Sequence, residues 1–210
     1  MTLSPDHEAA SGGVEDAVKS RYAAGAEAAE AALCCPIDYD PRYLKVLPDE
    51  ILERDYGCGD PSRFVTEGDV VLDLGSGGGK ICYIASQLVG PTGRVLGVDM
   101  TDAMLDLARR HRATLAERIG WDNVTFFKGR IQDLRTDVDV VAERLASHPI
   151  GGLADLESFE AWKRARFGAT PMIADASVDV VVSNCVLNLV DPADRGAMLD
   201  EIFRVLKKGG

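Results

Sequence analysis

The chain has 210 residues and a formal net charge of −11, from 23 Lys/Arg against 34 Asp/Glu. Its 46% apolar and 27% charged residues suit a soluble globular protein with its own core and exclude a disordered or fibrous chain. The acidic balance argues against nucleic-acid binding, which needs a clustered basic surface. No apolar run approaches the ~20 residues that cross a bilayer. The stretch from Met1 to Gly13 is polar and small, unlike a secretory signal. The expectation is a soluble, cytoplasmic protein, and a monomer.

In chain order, residues 1–13 read as a loose tail and 14–67 as a helical, cysteine-bearing cap. Strong helix formers fill 14–33, and the turn residues of CCPIDYDP end that pattern. A short helix is predicted over Pro48 to Asp55, then a loop, Tyr56-Gly57-Cys58-Gly59-Asp60-Pro61. From residue 68 to 210 apolar strands alternate with helices. Strands are predicted at 70–74, 94–98, 123–127 and 178–183. Helices are predicted at 80–89, after Thr101 as N-cap, and from Asp191 or Pro192 onward. The last of these carries Met198, Leu199, Ile202, Phe203 and Leu206 at helical spacing. Such alternation gives an α/β fold, a doubly wound and mostly parallel sheet.

Between about 134 and 171 lies an insertion that minimal alternation does not need. Leu153, Leu156, Phe159 and Trp162 recur there every three residues, which predicts helix. A peripheral packing helix and a substrate lid are both open. The run Leu206-Lys207-Lys208-Gly209-Gly210 reads as a helix end that should feed another strand. The expectation is a domain truncated after its fourth strand and helix, the N-terminal part of a longer protein.

The chemistry-bearing stretch is VVLDLGSGGGK, residues 70–80: glycines at a strand-to-helix turn, where a Cβ would hold a ligand off the backbone. Asp99, 24 residues beyond Gly75, ends the next strand, where a carboxylate can accept both hydroxyls of an adenosine ribose. A nicotinamide cofactor requires Gly or Ala at the sixth motif position, which here is Lys80. Asp73 would repel a pyrophosphate but attract an ammonium group. A cationic adenosine that carries an amino acid is S-adenosylmethionine. Ile81 after Lys80 excludes a Walker A loop.

VLDLGSGGGK, GVDM and EIFRVLKKGG resemble the class I, Rossmann-like S-adenosylmethionine-dependent methyltransferases. Within these, YGCG at 56–59, CYIASQLVG at 82–90 and VVSNCVLNLV at 181–190 resemble the arsenite methyltransferases, over about Cys34 to Gly210. The insertion and CCPIDYDP look most like the subgroup linked to arsenosugar biosynthesis. The resemblance implies cofactor contacts from Asp73, Gly75, Ser76 and Gly77. It also implies Asp99 on the ribose, Met100 on the adenine and Arg130-Ile131 beside it. Asn184 would lie near the methionine end, with Tyr56 closing over the sulfonium.

It further implies trivalent arsenic as substrate, held by Cys58 and Cys185, with thioredoxin or glutathione as reductant. Trivalent arsenic is thiophilic, and three converging thiolates would leave its lone pair facing the cofactor's methyl. The third ligand falls to Cys34 or Cys35, or beyond Gly210; one of that adjacent pair is also a candidate for a disulfide relay. Cys82, inside a helix, reads as a small core residue. His7, His111 and His148 read as solvated surface. Two alternatives stand beside arsenic methylation: methylation of a small organic molecule, and a non-catalytic thiol-based metalloid binder.

Overall fold

The computed structural model describes residues 39–54 and 59–210. The predicted helix over 14–33 lies outside them, as do Cys34, Cys35, Tyr56 and Cys58. Two short helices come first, α1 (Pro41–Leu44) and α2 (Asp49–Glu53). Then follow β1 (Val70–Leu74), α3 (Lys80–Val89), β2 (Arg94–Asp99), α4 (Asp102–Ile119) and β3 (Val124–Lys128). The insertion forms α5 (Val138–Ser147) and α6 (Leu153–Ala169), before β4 (Val180–Ser183) and α7 (Arg195–Val205).

All strand pairs are parallel, in the order β3-β2-β1-β4. The chain winds outward from β1 to β3 and then returns to β1's other side for β4. The carboxyl ends of β1 and β4 therefore flank a topological switch point, where open α/β sheets bind ligands. Pleating divides β1 between two cores. Val71 packs with Cys82, Leu105 and Phe126 under α3 and α4. Leu72 and Leu74 pack with Val98, Leu134, Ile173 and Met198 on the opposite face.

The cap segment is tied into the first core. Tyr39, Leu47 and Ile51 are buried there, and Glu50 pairs with Arg54, Arg110 and His111. His111 is thus no solvated bystander: its Nε2 lies 2.8 Å from Glu50, and it helps dock α2 on α4.

Two apolar stripes do not pack as their spacing suggested. The insertion is two helices rather than one, and Leu153 and Leu156 on α6 are 71% and 42% exposed. What holds it is Phe167, buried at its end, and Arg144 of α5 stacked 5.5 Å over the Trp162 ring. None of the residues of α5 and α6 lines the cleft at the switch point, which favours the peripheral packing role over the lid. On α7, Met198 and Val205 are buried, but Leu199 and Phe203 face solvent. After α7, Leu206 bridges Val178 in parallel, and the Lys207 N–H donates to the Val178 carbonyl at 2.8 Å. Among the described residues no helix is long and apolar enough to cross a membrane.

Candidate active site

A solvent-open cleft of about 80 Å³ lies at the switch point. The glycine turn forms its floor. Gly75, Gly77 and Gly79 have φ of +75°, +50° and +86°, a region that penalises any other residue. At Gly75 a Cβ would stand 2.5 Å from Val186 Cγ2, so the turn after β4 closes against it. At Gly77 a Cβ would meet nothing within 4 Å.

The turn's amide hydrogens point inward. Gly75 and Ser76 N–H both donate to the Val98 carbonyl, at 2.8 and 3.1 Å, and Gly79 N–H donates to the Ser76 carbonyl. Gly77 N–H donates to Asp99 Oδ2 at 2.9 Å. A phosphate cradle needs such N–H groups turned outward. This loop spends them internally, which fits an uncharged or cationic ligand.

Asp99 lines the cleft with Met100 and Thr101. Its Oδ1 accepts from Thr101 N–H at 2.8 Å. Burial pushes its carboxyl above the ordinary carboxylate value, against the lowering effect of the Thr101 and Gly77 amides. Both oxygens accept from backbone N–H groups, Oδ2 from Gly77 and Oδ1 from Thr101, and a carboxylate has lone pairs beyond these for a ligand hydroxyl. Thr101 is the expected N-cap of α4, yet its side chain makes no capping bond; its backbone N–H goes to Asp99.

Of the predicted contacts, Gly75, Gly77, Asp99, Met100 and Ile131 line this cleft. Asp73 and Ser76 do not. Asp73 is 2% exposed beneath the turn, where Cys82 Sγ lies 3.3 Å from its Oδ2. Ser76 Oγ is also buried there, beside the site of a Gly97 Cβ. Arg130 lines a different cavity, between the 130–136 segment and the insertion, with Asp133, Phe159 and Lys163. Asn184 contributes its side chain: Nδ2 donates to the Gly59 carbonyl at 2.7 Å.

Cys185 follows, in the left-handed region at φ +59°, a strained backbone for a residue with a Cβ. It is disulfide-bonded, so this is an oxidised form of the site. Cys82 is free and fully buried, and its thiol is pushed far up by burial and by Asp73, as a small core residue should be. Among the described residues no cluster of three or more His, Cys, Asp or Glu could hold a metal ion.

Sequence reasoning missed Gln132, Val186, Leu189 and Val190 in the lining. The last three sit in the very motif that supplied Cys185 and form apolar wall there.

Two family models, each described as a methyltransferase domain, match residues 65–157 and 154–210. An arsenite methyltransferase of Aquipseudomonas alcaligenes is 40% identical over 181 residues, 84% of this chain and 42% of that protein. The Homo sapiens arsenite methyltransferase is 36% identical over 80% of this chain and 36% of its own length. An arsenic (III) S-adenosylmethionine methyltransferase from Chlamydomonas reinhardtii superposes with a TM-score of 0.60 at 34% identity. That match covers 84% of this chain and 48% of the other. The chain spans less than half the length of each of these relatives.

Proposed function

We propose that this chain, similar to arsenite methyltransferases over about four fifths of its length, binds S-adenosylmethionine in the switch-point cleft. The methyl acceptor we propose is trivalent arsenic on cysteine thiolates, as the relatives' names suggest for those proteins. One observation carries the reading. Cys185 immediately precedes Val186, the residue that closes on Gly75 beside Asp99. A thiolate therefore belongs to the rim of the same cleft that suits an adenosine.

The residues present fit that cofactor. Gly75 and Gly77 leave the floor free of side chains, Asp99 offers acceptors for the ribose hydroxyls, and Met100, Ile131 and Leu189 offer apolar wall. When bound, the cofactor supplies an electrophilic methyl group on a sulfonium. The chain's own task is positioning, which accounts for much of such a barrier. Cys185, with Cys58 and with Cys34 or Cys35 in the thiol set, would hold arsenic so that its lone pair meets the methyl. Arsenic carries no proton to remove, so no general base is needed. The apolar wall would exclude water from a transfer in which the positive charge passes from the sulfonium to arsenic. The disulfide at Cys185 must be reduced before the metalloid can bind, and thioredoxin or glutathione is the proposed source of electrons.

Methyl transfer from isotope-labelled S-adenosylmethionine to arsenite, in the presence of a thiol reductant, tests the reading. Labelled methylarsenic should form with wild type and not with Cys185→Ser, while Cys185→Ser keeps its cofactor affinity. Labelling of organic acceptors alone would transfer the reading to the small-molecule alternative.

A further inference from the structure

The Gly59 carbonyl accepts two side-chain donors from distant parts of the chain. Asn184 Nδ2 reaches it at 2.7 Å from the end of β4, and the Tyr39 hydroxyl at 3.1 Å from the cap segment. Two bonds use both lone pairs of one carbonyl. Tyr39 is itself held, buried at 5% exposure with the Lys80 ammonium 3.9 Å from its ring centre. Lys80 opens α3, directly after the glycine turn. The residues that follow Gly59 are fixed too. Asp60 caps the 3-10 turn Pro61–Phe64 by accepting from Ser62 N–H at 3.0 Å and from the Ser62 hydroxyl.

We infer that Asn184 and Tyr39 are positioning residues that latch Gly59 to the rim of the cleft and so set the arsenic-binding geometry. The inference rests on the proposed function above. Asn184 precedes Cys185, and Gly59 follows Cys58 in sequence, so the bond joins the end of the YGCG motif to the residue before Cys185. Neither donor touches the cleft, so the latch acts on metalloid capture and leaves cofactor binding alone. Because both donors serve one carbonyl, each covers for the loss of the other. Their effects should therefore be more than additive in free energy, as expected for residues with a shared partner.

The test uses the full-length, reduced protein and its Asn184→Ala, Tyr39→Phe and double variants. Arsenite and S-adenosylmethionine are titrated separately onto each. The single variants should each weaken arsenite binding about threefold and the double variant about 100-fold, beyond the roughly tenfold that additivity gives. Cofactor affinity should stay within twofold in all of them, a split that general destabilisation would not produce. Asn184→Gln, which keeps the amide donor, should recover part of the single-variant loss. Arsenite affinity within twofold of wild type in the double variant would overturn the latch and leave the proposed function standing. Equal losses for both ligands would also overturn it. A wild-type protein that does not bind arsenite would overturn the proposed function and the latch with it.

Discussion

Asn184 and Gly59, 125 residues apart, meet in a hydrogen bond of 2.7 Å that ties the last residue of the YGCG motif to the carboxyl end of β4. Gly59 and the 181–190 motif are thus neighbours in space. No local propensity produces that meeting. It follows from the strand order β3-β2-β1-β4, which carries β4 back beside β1.

Two glycines of the turn should fail in different ways. Gly75→Ala combines φ +75° with a 2.5 Å approach to Val186. It should cost about 2–4 kcal/mol of stability, seen as a lower urea midpoint. Gly77→Ala, at φ +50° with open space around it, should cost about 1 kcal/mol. Its main effect should be on S-adenosylmethionine affinity, because the added methyl stands at the cleft floor. Calorimetry of both variants separates the two behaviours.

Asp99 makes cofactor affinity depend on pH. Its carboxyl is raised by burial above the ordinary 3.8, so it protonates at a higher pH than an exposed aspartate. S-adenosylmethionine affinity should fall as the solution is acidified, starting above the range of exposed carboxylates, and Asp99→Asn should flatten that fall. At neutral pH the substitution should weaken binding about 10- to 100-fold, the ~1.5–3 kcal/mol of a hydrogen bond to a charged group. Stability of the ligand-free protein has the opposite sign. A raised folded-state value means that ionising Asp99 opposes folding, so its contribution declines as pH rises from the unfolded value through the folded one.

Glu50 acts on the cap. Its carboxyl is held low, first by the His111 hydrogen bond and then by Arg110 and Arg54. That stabilisation is present above the unfolded value of 4.5 and is lost as pH falls through the lowered one. Glu50→Ala should destabilise by about 1 kcal/mol at neutral pH, allowing for solvent screening at a partly exposed site. Urea unfolding at neutral pH and at pH 3 should show the gap between variant and wild type narrow on acidification.

Cys82→Ala should leave arsenite binding unchanged. The thiol is fully buried among α3's packing residues, with its sulfur directed at Asp73. The substitution should cost about 1 kcal/mol of stability by unfolding. A loss of arsenite affinity would place Cys82 in the substrate site.

Much of the scaffold could be read from pattern. β1 and α3 fall at the predicted boundaries, and the other strands within two residues, because buried parallel strands are short β-branched runs broken by glycine turns. The side chains beneath and around the turn could not be read so well. Asp73 carries the right charge for an ammonium, but strand pleating aims it at Cys82 under α3. Arg130 and Ile131 are adjacent in sequence yet line different cavities. Periodicity also found helices without showing what covers them: Leu153 on α6 and Phe203 on α7 have the spacing of core residues and face solvent. Thr101 was legible as the residue before α4, but its side chain makes no capping bond.

The central claim is that one cleft brings a sulfonium methyl to arsenic held by Cys185 and Cys58. Isothermal titration of arsenite onto reduced full-length wild type, Cys58→Ser and Cys185→Ser, each saturated with S-adenosylmethionine, tests it most directly. Arsenite affinity should drop at least 100-fold in each variant while cofactor affinity holds. Wild-type arsenite affinity in both variants would contradict the account.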